Sequence, residues 1–258
     1  MSTIFSDKDY DNAMDLFRRA RVSPLTSDII KRTVLPVLKK KERFLDIGAG
    51  PGRVTDDISS FFKETVTVEP KIEYAKNLKN RSYTVLPCEF QTASIEETFD
   101  FILCSQVLYH VKIEEWLSFV MKIWRLLNND GIALVVLGAA RGPYYEFCIK
   151  LHSAYHTSQN LIEILKKTGI NFSIEEEKVF YCTDILEVMY TMCRFAVLEG
   201  CLTEAHYSTL PQQKQEEIDK KILNYAKSLH ENGKYKLFFE RDFIYLKKEG
   251  GYEPNRKE

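Results

Sequence analysis

Residues 44–54 read Phe-Leu-Asp-Ile-Gly-Ala-Gly-Pro-Gly-Arg-Val, and few folds accommodate such a stretch. An apolar run ends near an acid, Asp46, turns through Gly48, Gly50 and Gly52, and opens into an amphipathic stretch. Glycine is needed where the backbone adopts positive φ or must approach a ligand closely, and the helix start that follows offers unpaired N–H groups. A dinucleotide fingerprint ends G-x-x-G, whereas this loop runs G-x-G-x-G, and Asp46 would repel a pyrophosphate placed there. Short apolar runs alternate with amphipathic stretches on either side. Strands are predicted at 43–47, 65–68, 83–86, 99–104 and 132–137, with helices at 54–62, 72–78 and 114–127. That succession builds a mostly parallel sheet from βαβ units.

Two helices, 7–21 and 25–38, precede the first strand, and the turn residues 128–131 lead into the fifth. Beyond it the pattern predicts helices at 144–155 and 159–167, a strand at 174–181, and a helix capped by Asp184 and running to 199. A polar helix at 208–229, with Pro211 near its start, precedes a final alternating strand at 236–246. The fold class expected is therefore α/β: a Rossmann-like, seven-stranded, mostly parallel sheet with helices on both faces and an antiparallel last strand.

Composition narrows the function classes. Over 258 residues, 36 Lys and Arg oppose 37 Asp and Glu. Such a balance argues against a nucleic-acid binder that neutralises many phosphates. No apolar run approaches the roughly 18–20 residues of a membrane span, and the acidic opening MSTIFSDKDYDN does not read as a signal peptide. The six cysteines contain no C-x-x-C pair and sit mostly in apolar surroundings, as reduced thiols of a cytoplasmic protein would. Cys148, His152 and His156 share one face of a predicted helix, but nothing nearby closes a metal site, so no metal is expected.

Glu69 ends the second strand in Val-Thr-Val-Glu-Pro. A carboxylate there can accept both hydroxyls of a ribose, as an acid about 20 residues beyond a Rossmann glycine loop does. Taken in order, Asp46-x-Gly48-x-Gly50-x-Gly52, Glu69, the Phe99–Ile102 run and Leu126-Leu127-Asn128-Asn129-Asp130-Gly131 resemble the class I S-adenosylmethionine-dependent methyltransferases over 42–137. The resemblance implies S-adenosylmethionine as cofactor, leaving S-adenosylhomocysteine. It places Asp46, Gly48, Gly50, Gly52 and Ser105 around the methionine and ribose, Glu69 and Pro70 at the ribose, and the segment holding Cys88 and Glu89 around the adenine.

The loop after the fourth strand, Cys-Ser-Gln-Val-Leu-Tyr-His-Val at 104–111, lacks the Asn/Asp-Pro-Pro-aromatic segment of enzymes that methylate bases. A small-molecule acceptor is therefore expected. The opening Ile4-Phe5-Ser6-Asp7 with Phe17-Arg18-Arg19, the 106–111 loop, Val135–Gly138, and Leu237-Phe238-Phe239 with Phe243-Ile244 are similar to the histamine N-methyltransferase group. That resemblance implies that Gln106 contacts an amine. Asp28 is the acid nearest in position to the group's amine-holding Glu, and Phe239 stands where the group has an Asn, which points to another amine than histamine.

The candidate catalytic residues are thus Gln106, Tyr109 and His110, with His110 read either as a base or as a packed helix-start residue. Phe5, Tyr10, Phe17, Tyr144, Tyr145, Phe147 and Phe239, with Asp28, are the acceptor-site candidates, since aromatic faces suit a cation. One domain is expected over 1–248: a helical cap at 1–41, the cofactor-binding core at 42–183, a helical lid insert at 184–234 and a last strand at 235–248. A flexible tail follows at 249–258, and the assembly is read as monomer or homodimer. N-methylation leads; O-methylation with His110 as base, or a cofactor-binding protein of this fold that transfers no methyl, are the alternatives.

Overall fold

The computed structural model describes residues 7–152, 155–202 and 204–248. Phe5 and the 249–258 tail lie outside the described residues. The chain divides into two compact units, one built from 24–137, 158–176 and the chain from 242 on, the other from the chain up to 23, 138–157 and 177–241.

In the first of these, β1 (Arg43–Ile47) pairs in parallel with β2 (Glu64–Val68) and with β4 (Phe99–Ser105), and β2 pairs in parallel with β3 (Thr84–Leu86). β5 (Leu127–Gly138) continues the parallel run beyond β4. β6 (Phe172–Thr183), the short β7 (His230–Glu231) and β8 (Lys234–Lys247) complete an eight-stranded sheet in the order β3-β2-β1-β4-β5-β8-β6, with β7 beside β8, residues 177–183 and 230–241 being counted with the other unit. Asp130 N–H donates to the Lys248 carbonyl and Ala139 N–H to that of Glu240, so β8 runs antiparallel to β5. The Rossmann-like expectation, with its seven-strand path and antiparallel end, agrees with this sheet.

Helices cover both faces of the unit. α1 (Asp7–Ala20) precedes it in the chain, and α2 (Thr26–Thr33) and α3 (Arg53–Ser59) set Ile29, Ile30 and Ile58 against Phe44, Phe101, Leu134 and Val136. α4 (Ile72–Lys79) links β2 to β3. On the opposite face, α5 (Trp116–Leu126) packs Trp116, Phe119, Val120 and Ile123 over Leu45, Ile102 and Val135. β4, buried at six of its seven residues, reads as a strand covered on both sides.

The second unit gathers α1 with α6 (Gly142–Leu151), the buried Val179 and Tyr181, α8 (Leu186–Gly200) and α10 (Gln212–Ser228) around one apolar core. α7 (Ser158–Thr168), in the first unit, and α9 (Glu204–Thr209), in the second, complete the helices of the described residues.

Several elements differ from expectation for local reasons. The expected helix at 208–229 is two helices: α10 begins only after Pro211, which lacks an N–H and disfavours helix in the residue before it. Asp184 does not cap α8; Ile185 holds the N-cap position and donates its N–H to Thr183 Oγ1 at 3.2 Å. α2 ends at Thr33 and α6 at Leu151, both short of their apolar patterns. Residues 128–131 form a bulge within β5 rather than a turn before it, since Phe99 faces Leu127 while Phe101 already faces Ile132. No described helix is long and apolar enough to cross a membrane.

Asp100 is the polar pin of this arrangement. Buried to 4% exposure, it accepts the N–H groups of Glu42 at 2.8 Å and Arg43 at 3.1 Å, and the Asn128 side chain at 2.7 Å. Its carboxylate thus joins the start of β1 to the bulge of β5. Asp100→Ala strands these donors and should lower the unfolding free energy by roughly 2–4 kcal/mol in urea denaturation; a loss below about 0.5 kcal/mol would place their satisfaction elsewhere.

Candidate active site

The carboxyl ends of β1, β2 and β4 lie side by side, which is where open parallel sheets bind ligands. At the end of β1, Gly48 has φ +69° and donates its N–H to the Val68 carbonyl at 2.7 Å. A Cβ on Gly48 would stand 2.5 Å from Val107 Cγ2, so the glycine loop lies flush against the loop that follows β4. Gly52, at φ +82°, is the N-cap of α3 and holds no side chain over the helix start.

Glu69, 6% exposed, turns back into this loop. Its Oε2 accepts the Gly50 N–H and its Oε1 the Lys71 N–H, both at 2.8 Å. Each oxygen keeps a further lone pair, enough to accept a pair of neighbouring hydroxyls. Burial raises the Glu69 pKa from its ordinary value, and the two N–H donors oppose that rise.

Asp46, 4% exposed, lies beneath the same loop and accepts the Thr55 hydroxyl at 2.6 Å. Burial raises its pKa to about 7; the Thr55 bond opposes the shift and the nearby Glu69 adds to it. Thr67, the cross-strand partner of Asp46, is fully buried, and its hydroxyl has no hydrogen-bond partner in the described structure. Neither threonine stood out in the sequence. Thr55 had one signal: it falls in the first turn of the helix that the glycine loop opens.

β4 ends at Ser105, half-buried and level with Val136, and the loop after it follows. Gln106 takes φ +60°, donates its backbone N–H to the Val136 carbonyl at 3.0 Å, and directs Nε2 to the same carbonyl at 3.4 Å. A short 3-10 turn, Leu108–His110, follows. Tyr109 is half-buried there. His110 keeps more than a third of its surface exposed, yet the protein around its ring lowers the imidazole pKa by desolvation. Its exposure limits the size of that shift.

Of the remaining cofactor candidates, Pro70 and Glu89 are exposed and Cys88 is half-buried at the start of the segment after β3. Asp28 is exposed on α2, where its carboxylate accepts the Leu25 N–H at 2.9 Å and caps the helix.

The aromatic candidates belong to the other unit. Phe17 lies 6.1 Å from Phe239 and meets Tyr181 edge-on at 5.0 Å, while Tyr144 meets Phe239 edge-on at 4.6 Å. Tyr10 packs edge-on to Phe195 at 5.2 Å. The Arg241 guanidinium sits 5.8 Å over the Phe239 ring. Phe147 stacks flat on Tyr225 at 4.2 Å, and Tyr145 faces Tyr155 at 6.2 Å. Cys148 is buried in this core; His152 lies just past α6 with its ring 5.8 Å from that of His206.

Residues 45–135 match the family described as a methyltransferase domain. A protein of Staphylococcus carnosus strain TM300, described as an uncharacterized methyltransferase, is 23% identical over 154 residues, covering 54% of this chain and 74% of its own. The solved structure of YcgJ from Bacillus subtilis has a TM-score of 0.60 at 17% identity, over 87% of this chain and 98% of that one. That of the N-methyltransferase NodS from Bradyrhizobium japonicum WM9, in complex with S-adenosylhomocysteine, has a TM-score of 0.50 at 14% identity, over 67% and 90%. Residues 45–135 are thus similar to a methyltransferase domain, and the ligand to test against this site is S-adenosylmethionine. The site's chemistry fits that ligand: a carboxylate with lone pairs for a ribose diol, a close-packed glycine loop, and a buried acid for a cationic end.

The raised pKa of Asp46 has a stability consequence. Its unfolded carboxyl ionises near 3.8 and its folded one near 7, so between these values the folded chain holds a proton that the unfolded chain has released. Stability is full below the unfolded pKa and falls with rising pH, by up to roughly 1.4 kcal/mol per unit across this window. Asp46→Asn should flatten that slope in denaturant unfolding between pH 4 and 7. Parallel slopes in the two proteins would mean that Asp46 is ionised in the fold throughout.

Proposed function

We propose that this S-adenosylmethionine-dependent methyltransferase domain transfers methyl to the nitrogen of a small-molecule amine. The observation that carries the reading is Gln106. Its Nε2 is directed to the Val136 carbonyl, which leaves Oε1 as an acceptor on a loop without a carboxylate, and an amine N–H is the complementary donor. Among the structural likenesses, an N-methyltransferase supports the same reaction class, although fold alone does not fix the acceptor.

The cofactor supplies an electrophilic methyl on a sulfonium, so this chain's residues need only bind, align and exclude water. Glu69 would hold the ribose hydroxyls, with Pro70 shaping the chain after it. The N–H groups around Gly48, Gly50 and Gly52, with Ser105, would line the methionine end, and Asp46 would offset its positive charge. Gln106 would orient the attacking nitrogen, and such alignment contributes roughly 7–11 kcal/mol to barrier lowering where the attack geometry is met. An amine that arrives neutral needs little base. Tyr10, Phe17, Tyr144, Phe147 and Phe239, with Asp28, are the proposed acceptor-recognition residues, and a cytoplasmic setting is proposed with them.

A second reading has its own observation. Desolvation lowers the His110 pKa, the direction that favours the neutral imidazole a general base for a hydroxyl acceptor requires. Incubation with methyl-labelled S-adenosylmethionine and a panel of small amines, phenols and carboxylic acids separates the two. Label on an amine, with S-adenosylhomocysteine formed in step, supports N-transfer; label only on a phenol or acid would transfer the chemistry to His110.

Glu69→Ala should weaken cofactor binding by roughly 2–4 kcal/mol through two lost charged hydrogen bonds, and unchanged affinity in calorimetry would take Glu69 out of the site. Gln106→Ala should slow transfer about tenfold or more while cofactor affinity holds, since in this reading its side chain meets the acceptor and not the cofactor. Loss of cofactor binding in this variant would contradict that placement.

A further inference from the structure

The segment after β3 takes its shape from a side chain far along the chain. Lys122 of α5 donates to the carbonyls of Phe90 at 2.6 Å, Ala93 at 2.7 Å and Gln91 at 3.3 Å. An ammonium has three N–H donors, and here each meets a carbonyl. The same ammonium lies 4.8 Å over the Phe90 ring, and Phe90 packs on Phe119 of α5 at 4.7 Å. Gln91 Nε2 adds a bond to Glu115 Oε2 at 3.2 Å. Inside the segment, Thr92 and Ala93 donate their N–H groups to the Glu89 carbonyl at 3.1 Å. Residues 88–93 are therefore a closed loop gathered on one cation.

The loop begins beside Glu69, whose N–H donates to the Leu86 carbonyl at 3.1 Å. With a ribose on the Glu69 carboxylate, one arm of the cofactor meets the loop after β1 and the other meets the segment after β3. The resemblance to class I methyltransferases implies that the first meets the amino-acid arm and that the adenine lies against 88–93.

We propose that Lys122 is a positioning residue for the cofactor's adenine: by holding the carbonyls of Phe90, Gln91 and Ala93 it fixes the segment against which the base packs, and so sets the preference for adenine over a deaminated base. A fixed backbone presents fixed donors and acceptors, which tell an amino group from a keto group; a loose one adapts to both. The proposal rests on the placement of the ribose at Glu69.

The test measures equilibrium binding of S-adenosylhomocysteine and of its deaminated analogue, S-inosylhomocysteine, to the full chain. Lys122→Met should weaken S-adenosylhomocysteine about tenfold, the equivalent of one charged hydrogen bond, while binding of the inosine analogue changes little. The preference between the two ligands therefore narrows. Lys122→Arg, which keeps charged donors on a similar stem, should restore part of it. An equal loss for both ligands, or no loss for either, would overturn the proposal, because a merely structural lysine leaves the ratio intact. Glu69→Ala should weaken both ligands alike; if it alters neither, the ribose placement is at fault instead. Hydrogen exchange on the wild-type chain gives a readout that does not need the variant to fold. S-adenosylhomocysteine should slow the amides of 88–93, and unchanged exchange there would overturn the proposal by itself.

Discussion

The site depends on one close crossing, where the backbone at Gly48 is held between β2 and the loop after β4. The Gly48 N–H is bonded to Val68, and Val107 occupies the space a side chain would need. Any residue larger than glycine would push these strand ends apart and adopt a left-handed backbone at a cost of about 1 kcal/mol or more. Because of that crossing, Asp46, Glu69 and Gln106, which come from separate strands, converge on one edge of the sheet. The parallel pairing of β1 with both neighbours sets their order along that edge. The glycine loop is thus a packing requirement of the fold before it is a contact for any ligand.

Burial then gives the two acids their electrostatic character. Asp46 and Glu69 both have raised pKa values, with burial the largest cause in each, and Glu69 adds to the shift on Asp46. Among the described residues the hydrogen-bond donors to these two desolvated acids are Thr55, Gly50 and Lys71, so the protein compensates them sparingly. A ligand that brings hydroxyl donors to one and positive charge to the other relieves both costs together.

What the sequence made readable follows from the range of each interaction. The strands of the first unit were readable because β1 and β4 are short, mostly apolar runs, and the glycine spacing with Glu69 pointed to the edge where the Gly50 N–H meets the Glu69 carboxylate. The bulge at 128–131 read as a turn because Asn-Asn-Asp-Gly carries turn chemistry; only the pairing of Phe99 and Phe101 with β5 converts it to a bulge. Pro211 is plain in the sequence, but the break it imposes on the residues before it depends on local backbone geometry, and one expected helix is two. Lys122 carried no signal at all: its partners are backbone carbonyls 29 to 32 residues away, and a carbonyl is the same whatever residue bears it. Thr67 is silent for a related reason, since a buried threonine on a strand looks like any other β-branched residue.

The boundary of the family match carries a last consequence. It spans 45–135 and ends inside β5, while the second compact unit takes up the chain at 138. The matched stretch contains Asp46, the glycines, Glu69, the 88–93 segment, Gln106 and Lys122, which are the groups proposed for the cofactor and for alignment of the attacking atom. The aromatic candidates at 10, 17, 144, 147 and 239 all fall outside it. A shared cofactor demands the same diol acceptor and the same loop closure from every chain that uses it, so those features recur as a readable pattern. An acceptor imposes its demands on one chain only, through shape and packing that no spacing rule encodes. On the proposed function, specificity for the acceptor is therefore expected to reside in residues outside 45–135.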